Sequence, residues 1–541
     1  MEIVMIIDEH FSLLYPDEET KRRHEKGELR PNISAEVIES IGLGEYLELK
    51  SAEISEFFTT DPETIRFRQK VFRDIKEVPE IGRALTSVFP ILSDIIDLRR
   101  LDSAGGESTE SYLTSITEIE LYISCIEKLN DGFEGIRDRV KSETVAKMID
   151  TISTLTESDY YKELNEKLSA LSGRVREIKS ITVGVNLDGQ LRPTDAGVLS
   201  INPLEFKSGD IIEKILSFNF KKDEYTCIAP LVPFDRSQNE NRRMALSHAF
   251  NSAINDVFKS SVKGWRKIVN EYVLENTDFL IQLMPEIELL VKGARFVSML
   301  EGEGGNVTMP EILPGEEKAF SACGLYNPDV ALRAETDIVK NDIKFDDDGR
   351  IFVLTGPNRG GKSVITCAIG SAQIMAQLGL PVPADSISLS PVSSLYTHFP
   401  AESGDTIDKG RLGEECARLG EILDKVDGDS MILLDESLSS TGAYEASYIA
   451  AELLQSFSVI GCRGIFSTHL HELAARVDEI NAKCREFGGV GIDSIVADIT
   501  DGKRSFKIVR RRPDGKSYAK DITDKYGLSF DRVIDRIKNE K

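Results

Sequence analysis

The chain has 541 residues, 41% hydrophobic and 29% charged, and its 66 basic against 91 acidic residues leave a formal net charge of −25. So long a chain exceeds one hydrophobic core and implies about three or four domains. The acidic balance argues against a molecule coated with basic surface for nucleic acid, although a local basic stripe remains open. No run approaches the roughly 20 apolar residues that cross a bilayer. Seven scattered cysteines without a CxxC pair argue against a disulfide framework or a zinc site.

The opening MEIVMIIDEH carries Glu2 and Asp8 without a basic region, which makes a poor signal peptide, and a cytoplasmic protein is expected. Residues 1–50 mix a short apolar start with turn-rich sequence. From about Ser51 amphipathic spacing dominates. Asp61-Pro62 predicts a helix entry, followed by Ile65, Val71, Phe72 and Ile75 on one face. Residues 110–180 are charged and helical in pattern, as in ELNEKLSALSGRVREI, and read as extended arms. The character changes near Ser180, where Ile181, Val183 and Val185 alternate before Asp188-Gly189, a hairpin signal. A β-leaning stretch runs to about Arg236, helical patterning resumes to Leu300, and EGEGGN at 301–306 with Pro310 and Pro314 marks a linker. Beyond it strands and helices alternate, which predicts a mainly parallel sheet.

The strongest chemical signal lies in this last part. Gly356, Pro357, Asn358, Arg359, Gly360, Gly361, Lys362 and Ser363 fit G-x-x-x-x-G-K-[ST]. The apolar run Ile351–Leu354 precedes them, and a helical run ended by Gly379 and Pro381 follows. Glycines let backbone N–H groups approach a phosphate, and a helix N-terminus favours negative charge. Lys362 is then expected at the β/γ oxygens and Ser363 on Mg²⁺. A glycine-rich turn beside a solvated lysine is the alternative. A second apolar run, Met431–Leu434, delivers Asp435 as a metal ligand and Glu436 as a polariser of the attacking water. Its alternative is a strand ending in two solvated acids. A third run, Gly464–Ser467, places His469 at its exit, suited to the γ-phosphate or the attacking water, whereas His471 reads as a capping or packed histidine.

In this order, TGPNRGGKS, LLDES and STHLHELA resemble the ATPase domain of the MutS DNA mismatch-repair family, within the wider ABC-type ATPases. VPAD at 382–385 and the tail SFKIVRRRPDGKSYAKDITDKYGLSFDRVIDR, with Ser517-Tyr518-Ala519 and Gly527-Leu528, are similar too. FFTTDPETIRFRQKVFRDI resembles the start of that family's helical core, and LLVKGARFVSML at 289–300 its return.

The resemblance implies an α/β ATPase domain (P-loop, mainly parallel sheet, ABC-type) joined to a mostly α-helical core and lever domain with a small β-containing insertion. The parts are then an N-terminal extension at 1–50, core and lever at 51–180, and a reduced clamp-like insertion at 181–235. A helical return at 236–305 and the ATPase domain with a C-terminal dimerisation segment at 306–541 complete it. The resemblance further implies ATP and Mg²⁺ as cofactors, a homodimer with nucleotide between subunits, DNA as partner and no membrane. Nucleotide contacts carry over to Gly356 through Val364, to Ile338 in place of the family's adenine-stacking aromatic, and to Asn341. Lys362, Glu436 and His469 take catalytic roles and Ser363 and Asp435 metal roles. The family's trans-acting Ser-Thr-Phe is here Gly410-Arg411-Leu412, and Arg359 stands where the family has Met.

Mismatch readers of that family carry a Phe-x-Glu motif, and none of the 24 phenylalanines here is followed by x-Glu. A wedge that unstacks a mispaired step is therefore not expected. The insertion mixes Arg192, Lys207, Lys214, Lys221 and Lys222 with the acids Asp188, Asp195, Glu205, Asp210, Glu213, Asp223 and Glu224 and reads as a solvated surface. NRRMALSH and KGWRK at 263–267 are better basic clusters. Three functions stay open: a MutS-like ATPase moving helical arms on DNA; an ATP-driven switch on branched DNA, RNA or a protein partner; and a scaffold whose nucleotide only sets conformation.

Overall fold

A computed structural model of the chain describes residues 11–104, 112–176, 179–190, 193–202, 204, 274–333, 338–399, 411–500 and 503–513, together with 530, 532 and 534. Most of the expected insertion, both basic clusters, Gly410, residues Ser517–Ala519 and the Gly527-Leu528 pair lie outside the described residues. The described residues divide into two compact units, one within 78–285 and one formed by 11–77 with 286–534. Residues 51–77, read from sequence as part of the helical core, thus fall with the second unit.

The first unit is helical because its segments carry apolar stripes at helical spacing. Helix Glu143–Glu157 starts where Ser142 Oγ accepts from Val145 N at 3.3 Å, and it buries Val145, Met148, Ile149, Ile152 and Leu155 along one face. Helices Pro79–Ser87 and Tyr112–Phe133 approach so closely that a Cβ on Gly132 would lie 2.4 Å from Ala84 Cβ. The predicted hairpin is present as β1 (Ser180–Leu187) and β2 (Pro193–Asn202), paired antiparallel.

The second unit holds two sheets among the described residues. One is six-stranded, in the order β12 (Lys503–Arg510), β11 (Ile492–Thr500), β6 (Ile351–Thr355), β10 (Arg463–Ser467), β9 (Met431–Asp435) and β8 (Leu395–His398). Its pairings are parallel except β11 with β12. All five residues of β6, β9 and β10 are buried, as expected for central strands covered on both faces. The other sheet runs β3 (Glu311–Ile312), β7 (Ser386–Leu389), β4 (Phe320–Leu325) and β5 (Asn341–Phe345), with β4 antiparallel to both neighbours. The strand–helix alternation did not lead us to expect this sheet, because its strands are short and come from separated segments. Residue 32 extends the six-stranded sheet: Asn32 N donates to Ser393 O at 2.7 Å and Leu395 N to Asn32 O at 3.2 Å.

Helix Lys362–Leu378 is buried along most of its length and ends at Gly379 (φ +85°), where Leu380 N donates to Met375 O at 2.9 Å. Its buried Gln377 is fully used, donating from Nε2 to Thr59 O and Val392 O and accepting from Val392 N. Helix Pro62–Glu77 begins with Thr64 N donating to Asp61 Oδ2 at 2.9 Å, and its predicted apolar face is buried. The same face hides Arg68, whose Nε donates to Leu14 O at 3.0 Å and whose guanidinium lies 5.0 Å from the Tyr15 ring centre. Beside it, Glu286 accepts from Ser12 Oγ and, at 2.7 Å, from Leu13 N.

His24 completes this buried polar group. Its Nε2 donates to Phe58 O at 2.7 Å, so Nδ1 is the acceptor for Tyr15 O–H at 2.9 Å. Burial pushes the imidazole down to about 4. The folded protein therefore takes up this proton less readily than the unfolded chain. Its stabilising share is complete above about pH 6.5 and is lost as pH falls towards 4. Between pH 7.5 and 5 the wild type is expected to lose roughly 2 kcal/mol more stability than His24→Gln, which keeps a donor and cannot titrate. Urea unfolding of both proteins at the two pH values checks this; equal losses would remove His24 from the acid response.

Candidate functional site

Strand β6 ends at Thr355, and the chain turns through the glycine loop 356–361 into helix Lys362–Leu378. Two glycines in the loop are obligatory. Gly356 has φ +148°, and a Cβ there would sit 2.6 Å from Ala497 Cβ; Gly361 has φ +94° at the helix N-cap. Arg359 occupies the left-handed region without glycine's freedom (φ +57°), a small strain at the tip of the loop. The first helical turn leaves N–H groups without helical partners, an arrangement suited to anionic oxygens.

Lys362 is only 3% exposed, and its Nζ lies 3.4 Å from both Gly356 O and Pro357 O and 3.7 Å from Glu436 Oε1. Burial lowers its pKa, opposed by the charges of Glu436 and Asp435. Strands β9 and β10 are parallel neighbours with Ser467 level with Asp435, which brings the two strand-end signals together. Glu436 adopts φ +48° and its N–H donates to Ser467 O at 2.9 Å. Its Oε1 is 2.7 Å from His469 Nε2. Lys362, Glu436 and His469 therefore meet around one carboxylate.

Lys362 and Glu436 open on a cleft of about 360 Å³. Ile338, Asn341, Arg359, Gly360, Gly361, Lys362, Ser363, Val364 and Glu436 line it. Gly356, Pro357, Asn358, Asp435 and His469 are not among its lining residues. Gly410 is outside the described residues, while Arg411 and Leu412 open helix Arg411–Lys425. Asn341 has a second occupation: its Nδ2 donates to Phe506 O at 3.2 Å and its Oδ1 accepts from Ile508 N at 2.7 Å. That bonding shapes β12 so that Phe506, at φ +56° and 45% exposed, joins the cleft beside the loop. Sequence reasoning missed Phe506. Strand alternation marks it as apolar, but no local signal brings it to residues 338–341. Asn327 was missed too; it caps helix Pro328–Arg333 through Oδ1 and donates from Nδ2 to Val364 O at 3.2 Å.

The residues expected to hold a divalent cation can be tested on their own chemistry. Asp435 is 5% exposed and its Oδ1 has no hydrogen-bond partner, nor has the hydroxyl of Ser467 at the same register. A buried carboxylate oxygen left unpaired is costly unless a cation meets it. Among the described residues no cluster of three His, Cys, Asp or Glu side chains forms a complete metal cage. An oxygen donor with few protein partners fits Mg²⁺, which keeps waters and substrate phosphates in its shell.

Fold and site thus define a mixed α/β protein in which the end of a glycine loop, a buried lysine and Glu436 face a common cleft, with Asp435 one residue before Glu436 at the end of β9. Family comparison bears on the same region. The family model described as MutS domain V matches residues 352–502, and that of the MutS2 N-terminal domain matches residues 60–302. Among similar proteins are an Endonuclease MutS2 of Staphylococcus aureus and a DNA mismatch repair protein MutS of Thermosipho melanesiensis. The first is 30% identical over 271 residues, 49% of this chain and 35% of that protein. The second is 26% identical over 284 residues, 52% of this chain and 32% of that protein. The chain is thus similar to MutS-type proteins over residues 60–302 and 352–502. The matched stretch spans about a third of the length of either relative. No helix among the described residues is long and apolar enough to cross a membrane.

Proposed function

We propose that this protein is a MutS-like, Mg²⁺-dependent ATPase whose nucleotide cycle moves helical arms on DNA. The observation that carries this reading is the convergence of Lys362, Glu436 and His469 at one carboxylate beside the glycine-loop cleft. The triphosphate would lie on the loop with its β/γ oxygens against Lys362. Lys362 would then exchange its contact with Glu436 for phosphate and leave that carboxylate to accept a proton from the attacking water. His469, bonded to Glu436, would hold the carboxylate's orientation and sense the phosphate. Asp435 and Ser363 would hold Mg²⁺, which supplies charge neutralisation on the phosphates. The base would rest between Ile338 and Phe506, with Asn341 maintaining the Phe506 backbone.

A glycine-loop cleft on one subunit leaves the γ-phosphate open on its outer side, so a homodimer that covers it and excludes water is part of the proposal. The absence of Phe-x-Glu favours a second reading, in which the same cycle serves branched DNA, RNA or a protein partner. Binding to homoduplex, mismatched and branched DNA, with each nucleotide and at two salt concentrations, tests the choice. The first reading expects binding that changes with nucleotide and weakens steeply with salt, since phosphate contacts release counterions. No binding to any DNA form would overturn it; preference for branched DNA would favour the second.

A further inference from the structure

Glu436 projects from a strained loop, and the structure contains a device that holds the loop. Glu436 and Leu438 both adopt left-handed backbone, φ +48° and +65°, and flank Ser437. Non-glycine residues keep such conformations only where their surroundings over-determine them. Each residue of the triplet has one anchor. Glu436 donates its N–H to Ser467 O at 2.9 Å, and Leu438 is 1% exposed within the hydrophobic core beside β9 and β10. The middle residue is anchored by a histidine. Strand β8 runs parallel to β9 with His398 level with Leu434, so the imidazole reaches the turn that follows Asp435. His398 Nδ1 and Ser437 Oγ are 2.8 Å apart, and the hydroxyl also lies 3.4 Å from His398 O. With the hydroxyl donating to that carbonyl, Nδ1–H donates to Oγ, and both side chains are buried.

We propose that His398 is a positioning residue for ATP hydrolysis, fixing the Glu436 carboxylate through its hydrogen bond to Ser437. The proposal rests on the ATPase reading above and deepens it. Burial holds the imidazole in its neutral form, while Glu415 and Arg418 of helix Arg411–Lys425 act on it in opposite directions. A neutral ring offers one donor and one acceptor at fixed places, which suits a clamp rather than a charge. Glu415 Oε2 is itself buried without a hydrogen-bond partner, so the helix that opens with Arg411 and Leu412 presents an unsatisfied carboxylate oxygen in the same neighbourhood. Neither His398 nor Ser437 is itself among the residues that line the cleft, so they act on the reaction through Glu436.

The test is steady-state ATPase kinetics with Mg²⁺ on the full chain, comparing wild type with His398→Leu, His398→Asn, Ser437→Ala and the His398→Leu/Ser437→Ala double variant. We expect His398→Leu and Ser437→Ala each to lower kcat about tenfold or more, with the KM for ATP within about twofold of wild type, because the loop is repositioned while the phosphate cradle is untouched. Asparagine carries a donor near the place of Nδ1, so His398→Asn should recover kcat to within about threefold. The double variant should be no slower than the slower single one, since both remove the same bond. A merely structural role would give a loss of folded protein without this kcat-specific pattern. If His398→Leu does not fold, Ser437→Ala carries the comparison. Unchanged kcat in Ser437→Ala, or additive losses in the double variant, overturns the proposal. A wild type without Mg²⁺-dependent turnover overturns the ATPase reading together with it, whereas a turning-over wild type with indifferent variants overturns the positioning role alone.

Discussion

Replacing Glu436 by glutamine is expected to leave ATP bound and almost unhydrolysed, with kcat reduced about a hundredfold or more. The amide keeps the size of the side chain and can still bond His469, 2.7 Å away in the wild type, but it cannot accept a proton from water. Positioned general bases contribute roughly 10²–10⁴-fold, which sets the size of the loss. The substitution also removes a negative charge 3.7 Å from Lys362 Nζ. The lysine then meets the phosphate without a competing carboxylate, so affinity for Mg²⁺-ATP should hold or rise. Single-turnover hydrolysis and nucleotide titration separate the two effects. Hydrolysis within about threefold of wild type would show that Glu436 does not act as the base.

Removing Lys362 should have the opposite signature. In Lys362→Ala we expect Mg²⁺-ATP affinity to fall at least a hundredfold, about 3 kcal/mol, and turnover to disappear with it. The ammonium is 3% exposed and held over the loop carbonyls of Gly356 and Pro357, so no solvated neighbour replaces it. Its loss leaves the Glu436 carboxylate without its cationic neighbour beside the phosphate position, which adds repulsion to the missing attraction. Lys362→Arg should not rescue binding, because a planar guanidinium does not fit where a compact ammonium is enclosed. Calorimetric titration with a non-hydrolysable analogue provides the measurement. Affinity within about fivefold of wild type would make the glycine loop an ordinary turn.

The pair distinguishes the proposed states of the cycle. A protein trapped by Glu436→Gln should show what the nucleotide-bound form does to DNA, and Lys362→Ala what the empty form does. If both bind every DNA form alike, the nucleotide does not govern DNA binding, and the reading in which the cycle moves arms on DNA fails.

Much of the candidate site was legible in the sequence because its signals are local. The left-handed turns at Gly356 and Gly361 need glycine wherever they occur, and Gly379 ends the following helix for the same reason. The wholly apolar runs at 351–354 and 431–434 could only be central strands, since both faces of each are covered. The helix entry at Asp61 and the hairpin around Asp188-Gly189 likewise follow from side-chain chemistry within a few residues.

What only the tertiary structure decided involves residues far apart in the chain. Phe506 enters the cleft because Asn341, 165 residues earlier, bonds its carbonyl. His398 reaches Ser437 because β8 and β9 lie side by side. Arg68, His24 and Glu286 are buried polar groups, and each meets backbone or hydroxyl groups from distant segments, although Arg68 Nη2 has no hydrogen-bond partner. Periodicity, capping and backbone freedom are properties of neighbouring residues, so the sequence by itself determined the central strands β6, β9 and β10, the helix ends and the glycine loop. Which side chains meet across strands is set by the packing of the whole unit, and no local pattern encodes it.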